Sequence, residues 1–116
     1  MKIVIQGQLT DLNSYIEAER SNKFAASSIK KTETTGVAWQ CKLKEKIKEY
    51  PVHIDFHWYT KDLRVDPDNT AFSRKFILDG MVQAGILEND GRKQISGFSD
   101  TFYVDKLNPR TEVVIT

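Results

Sequence analysis

Val52-His53-Ile54-Asp55-Phe56-His57-Trp58-Tyr59 alternates apolar and polar side chains over eight positions. A period of two belongs to a β-strand with one face buried and one face wet. Pro51 stands immediately before it and must end any helix arriving from upstream, because it lacks an amide proton and disfavours helix in the residue before it. That upstream helix is predicted over Asn22–Tyr50, with Trp39, Leu43 and Ile47 as a buried stripe at steps of four. Earlier still, Lys2–Gln6 reads as a β-branched strand that Gly7 ends. Leu9–Arg20 reads as a short helix or an irregular loop, with Asp11 as its N-cap and Leu12, Tyr15 and Ile16 at helical spacing.

Downstream of the strand, Thr60–Pro67 is a loop and Thr70–Ala84 a helix whose buried positions are Phe72, Phe76, Ile77 and Met81. Asp68 or Asn69 can cap its start. Gly85 can end it in the left-handed conformation that glycine adopts cheaply, with Ile86 as the apolar residue that follows such a cap. Ile95–Val104 is a third strand, Asn108-Pro109 a turn, and Glu112–Ile115 a final strand. The order β-α-β-α-β-β predicts one α+β domain over residues 1–116, a mixed sheet with helices packed against it.

The 116 residues are 40% hydrophobic and 28% charged, the composition of an ordinary globular chain. Cys41 is the only cysteine, which excludes an internal disulfide framework and a multi-cysteine zinc site. Met1–Gly7 lacks the apolar core of a signal peptide, and no apolar run approaches the ~18–20 residues that cross a bilayer. A cytoplasmic location and no membrane partner are expected. Lys plus Arg is 17 and Asp plus Glu 16, so bulk charge gives no reason to expect a nucleic-acid coat.

The distribution of charge says more. Lys23–Lys48 holds seven Lys and two Glu, a local net of +5, whereas Asp55–Asp90 holds seven acids and four bases, a local net of −3. The densest acidic feature is Asp66-Pro67-Asp68-Asn69, between a strand and a helix. Two carboxylates so spaced can converge on a hard cation such as Mg²⁺, and they can equally serve a turn and an N-cap. Asp90 lies in the turn Glu88-Asn89-Asp90-Gly91, and Lys75 falls seven residues after Asp68, within about 20° of it on a continuous helix.

Three segments in order, Arg64-Val65-Asp66-Pro67-Asp68-Asn69, Arg74-Lys75-Phe76-Ile77-Leu78-Asp79 and Ala84-Gly85-Ile86-Leu87-Glu88-Asn89-Asp90, resemble the RusA-like Holliday junction resolvases of Gram-positive bacteria and their phages. Weaker likeness extends to Leu12-Asn13-Ser14 and to Asp105-Lys106-Leu107-Asn108-Pro109-Arg110. The resemblance implies a homodimeric, Mg²⁺-dependent endonuclease (Mn²⁺ being the alternative ion) that cuts four-way and other branched DNA. It implies catalytic and metal-associated roles for Asp66, Asp68 and Asp90. The family's lysine stands four residues after the second aspartate, where this chain has Phe72, so the role passes to Lys75 one helical turn later.

On that reading the basic stretch faces DNA phosphates while the acidic one holds the cation, and Lys23, Lys30, Lys31, Arg64 and Arg92 are the expected phosphate contacts. The rivals are a junction-binding protein without activity and a small phage interaction protein that binds no DNA. Three further groups stand outside the motif. His53, Asp55 and His57 share the polar face of one strand, where they could bind a transition metal or simply be solvated. Asp100 shares a face with Phe98 and Phe102 and should be partly buried or paired, and Cys41 reads as structural.

Overall fold

The computed structural model describes residues 1–116. Strand β1 (Lys2–Gln6) leads through helices α1 (Leu12–Ser21) and α2 (Ala25–Cys41) to β2 (Val52–Thr60). Helices α3 (Pro67–Ala71) and α4 (Arg74–Gln83) then precede β3 (Ile95–Val104) and β4 (Arg110–Ile115). The sheet is mixed, in the order β1-β4-β2-β3. β4 is antiparallel to both β1 and β2, while β3 runs parallel to β2 and forms one edge. A parallel neighbour needs a crossover of a dozen or more residues, and the segment carrying α3 and α4 supplies it. The α+β expectation holds: α1 falls in the stretch read as a short helix or loop, and the single helix predicted over 70–84 is replaced by the pair α3 and α4.

The alternation over 52–59 works as read. Ile54, Phe56 and Trp58 turn to the helices and are buried, with Ile3 and Ile5 of β1 and Val113 and Ile115 of β4 in the same core. Val37 and Cys41 of α2 and Ile77 and Met81 of α4 close the core from above. Trp58 keeps its indole N–H satisfied by donating to Asp100 at 2.8 Å, so Asp100 is paired as expected. The opposite sheet face, with His53, His57, Tyr59 and Tyr103, is left uncovered by the helices.

Two predicted helices end differently from their sequence reading. The helix expected to reach Tyr50 stops at Cys41. Beyond it the chain leaves helical geometry, and Ile47 N–H donates instead to the Ile86 carbonyl at 2.9 Å. Ile47 is therefore buried from a loop, while Trp39 and Leu43 stand 67% and 96% exposed. The stripe at steps of four does not exist; α2 buries Val37, Ala38 and Cys41.

The second helix breaks at Phe72-Ser73. Ser73 N–H and its hydroxyl both donate to the Thr70 carbonyl, at 3.2 and 2.8 Å, which tightens the turn and re-aims the chain before α4. Phe72 packs there against Tyr15 of α1 and Phe76, with centroids 5.3 and 5.5 Å away. The local signals at the other ends hold. Asp11 Oδ1 accepts from Ser14 N at 2.8 Å as the N-cap of α1. Gly85, at φ +80°, closes α4 with Ile86 N–H on the Met81 carbonyl and Gly85 N–H on the Val82 carbonyl, the paired bonds of a Schellman end.

Arg110 ties the start of β4 to its surroundings. Its guanidinium lies over the Tyr59 ring at 3.8 Å and donates to Asp105 and Glu112, each at 2.8 Å. The Arg110 bond holds the Asp105 carboxyl below its ordinary range, and bonds from Lys2 and then Arg110 do the same for Glu112. Both folded values lie below the unfolded ones, so this stabilisation is whole above about pH 4.5 and is lost as pH falls through the folded values. Thermal melts should show Tm falling as pH drops below that point, and Arg110→Gln should flatten the fall. An equal slope in the variant would remove Arg110 from the acid response.

Candidate functional site

The acidic loop opens α3. Asp66 occupies the N-cap position in extended geometry, with Pro67 as the first helical residue, yet its carboxylate makes no capping bond. Asp68 lies in the first turn, and both side chains are exposed. The capping explanation for Asp66 therefore falls away, and the expected cap at Asp68 or Asn69 is displaced two or three residues upstream. Leu63, Val65, Phe102 and Val104 form an apolar wall beside Asp66 in a cleft at the end of β2 and β3.

Lys75 and Asp90 meet across the fold. The Lys75 ammonium lies 3.2 Å from Asp79 and 3.8 Å from Asp90, so two residues fifteen positions apart share one ion-pair group. The return is made by Gly85 reversing the chain and by Ile86 and Leu87 burying into the core, which carries the Glu88–Gly91 turn back to the first turn of α4. Asp79 closes the second motif segment, and its i,i+4 spacing from Lys75 is the sequence signal for this pair, which the motif reading left unused. The helical arithmetic linking Lys75 to Asp68 does not apply, because the break at Phe72-Ser73 separates them. Phe72, at the position where the resemblance calls for lysine, is committed to the aromatic cluster with Tyr15 and Phe76.

The structure does not gather Asp66, Asp68 and Asp90 into one ligand set. No three His, Cys, Asp or Glu side chains in the chain come together in a way that could hold a metal ion. Asp90 instead faces an ammonium. The fit to a divalent cation is therefore one of donor chemistry, without a ready-made cage. Mg²⁺ commonly takes one or two carboxylates and fills its shell with water and substrate phosphate oxygens. Asp66 and Asp68 offer two exposed carboxylates of that kind, two residues apart.

His53, Asp55 and His57 do not assemble as a metal site either. His53 Nε2 lies 3.1 Å from Asp55 and 2.8 Å from Ser99, while His57 Nδ1 pairs with the Tyr103 hydroxyl at 3.1 Å. Residues four apart on a strand are separated by about 13 Å, too far for both rings to reach one ion. Cys41 is fully buried, and burial pushes its thiol up to about 11. A thiol probe at pH 8 should label the native chain far more slowly than the denatured one. Rapid native labelling would contradict that burial.

The expected phosphate contacts divide by location. Lys30 and Lys31 line a groove between α2 and α4 that also holds Asp79. Lys23 sits over the exposed Phe24 ring at 5.0 Å. Arg64 flanks the acidic loop, 3.6 Å from Asp62, and Arg92 is exposed just past Asp90. No family model matches the chain, and no curated protein matches it. No helix is long and apolar enough to cross a membrane.

Proposed function

We propose that the chain is a RusA-like endodeoxyribonuclease that cleaves phosphodiesters in four-way and other branched DNA. One observation carries the reading. Lys75 and Asp90, distant in sequence and both singled out by the motif, lie side by side in space. Asp66 and Asp68 support it as exposed carboxylates at the opening of α3, the first of them with no capping duty.

In this reading Asp66 and Asp68 would hold Mg²⁺, with Mn²⁺ as the substitute. When bound, the ion supplies charge neutralisation at the phosphate and a more acidic water. The chain's own groups do the rest. A carboxylate of the pair orients the attacking water and accepts its proton. Lys75, steadied by Asp79 and Asp90, offers positive charge to the oxygen that departs. Arg64 and Arg92 hold flanking phosphates on either side.

A two-fold dimer suits the task, since a symmetric junction needs two cuts symmetrically placed. A cytoplasmic setting in a Gram-positive host or its phage belongs to the same proposal. The test is incubation of the purified chain with a synthetic mobile four-way junction, with and without Mg²⁺. Paired nicks that need the ion are the expected result.

One observation favours a second reading, a junction-binding protein without activity: the three aspartates do not converge. Junction binding with no cleavage in either Mg²⁺ or Mn²⁺ would select it. Absence of any junction binding at stated low salt would reject both.

A further inference from the structure

Trp39 is the largest side chain of α2 and stands 67% exposed, with the Lys42 ammonium 4.5 Å from its ring centroid. Isolated exposed aromatics need no explanation. This one ends a track. The groove between α2 and α4 is lined by Lys30, Lys31, Asp79 and Gln83, and Gln83 also lines the shallow depression that holds Trp39 and Lys42. Lys31 and Trp39 lie eight residues apart, about 12 Å along the helix axis. Asp79 is the only carboxylate lining the groove, and Lys75 compensates it at 3.2 Å. The track also lies in the segment where seven Lys face two Glu.

We propose that this track binds a single strand of nucleic acid, with phosphates on Lys30 and Lys31 and an unpaired base stacked on Trp39. Charge complementarity selects a polyanion, and the exposed indole selects a flat ring over a bare phosphate chain. Together these are the parts of a single-strand platform: a cationic groove along the backbone and an aromatic on which any base can stack. A paired duplex keeps its base faces stacked internally and offers Trp39 nothing but its end. The proposal extends to an unpaired strand and does not rest on the acidic site being active.

The chain has a built-in reporter. Its other tryptophan, Trp58, is 2% exposed, so quenching of indole emission by a bound strand arises from Trp39. The full chain in EDTA is titrated with oligo(dT), with oligo(rU) and with a blunt duplex. Saturable quenching by the single strands, weakening as salt rises, is expected. In anisotropy measurements with a labelled oligo(dT), Trp39→Ala should weaken binding roughly tenfold or more, and Trp39→Phe should retain most of it. Lys30→Glu with Lys31→Glu should weaken all strands alike.

Circular dichroism should be unchanged in each variant, because these side chains are exposed. Relative binding of oligo(dT) and oligo(rU) tells whether the sugar matters; saturable binding of either that depends on Trp39 supports the platform. Unaltered affinity in Trp39→Ala overturns the proposal, and so does equal quenching by heparin, which has charge but no bases. Because the assay needs no cleavage and no divalent ion, an inactive acidic loop would not affect it.

Discussion

Asp68→Asn is expected to leave folding and junction binding intact while lowering cleavage of a four-way junction by about 10²–10⁴-fold, the usual worth of a positioned acid–base group. The same is expected of Asp66→Asn. Both carboxylates are exposed at the opening of a five-residue helix, and Asp66 makes no capping bond, so each change removes charge with little structural cost. The neutral amide keeps the shape of the side chain but cannot take a proton from water, and it is a poorer ligand for a hard cation. Gel shifts in EDTA read binding and product gels in Mg²⁺ read cleavage, so the two losses are separable. Cleavage by Asp68→Asn at the unaltered rate would remove that carboxylate from the mechanism. Asp79→Asn provides the contrast: it touches Lys75 alone, so a smaller loss of rate is expected with the Mg²⁺ requirement unchanged.

Gly80→Ala should destabilise the fold, although alanine is the better helix former by about 1 kcal/mol. A Cβ at Gly80 would lie 2.5 Å from Val37 Cγ1, 2.6 Å from Val37 Cβ and 3.0 Å from the Thr34 carbonyl oxygen. Two of those three atoms sit on or next to the backbone of α2, so no rotamer change removes the conflict. The helices must part, and the contact they share buries Val37, Cys41, Ile77 and Met81 over the sheet. Overpacking of a tight core costs about 1–3 kcal/mol and sometimes more, which outweighs the propensity gain. The midpoint of urea denaturation should therefore fall. Val37→Ala in the same chain should restore only part of the loss, since the Val37 Cβ itself stands in the way. A midpoint at or above the original would show that α2 and α4 slide apart at no cost.

How much was legible depended on how far each feature reaches along the chain. The strand at 52–60 could be read because alternation is a property of consecutive residues. The Asp11 cap and the Gly85 end were equally local, one a side chain meeting an amide three residues on, the other a backbone angle that glycine permits. The break at Phe72-Ser73 was hidden because nothing in Thr70-Ala71-Phe72-Ser73 forbids helix. It arises when the Ser73 hydroxyl takes the Thr70 carbonyl and Phe72 finds Tyr15 from another helix. The end of α2 was hidden for the same reason: the alternative partner of Ile47 is a carbonyl thirty-nine residues away.

The candidate site divides along the same line. Asp66, Asp68, Lys75 and Asp90 were singled out in the sequence by their resemblance to a family motif, since residue type and order are all that such a motif contains. Tertiary structure decided their company. It placed Asp90 beside Lys75, brought in Asp79, and did not gather the three aspartates into one ligand set. It also turned Trp39 from a presumed core residue into an exposed ring beside a cationic groove. The physical reason is common to all of these. Periodicity and capping are settled within a few residues by backbone geometry, whereas ion pairing, exposure and convergence depend on which distant segments pack into the same space.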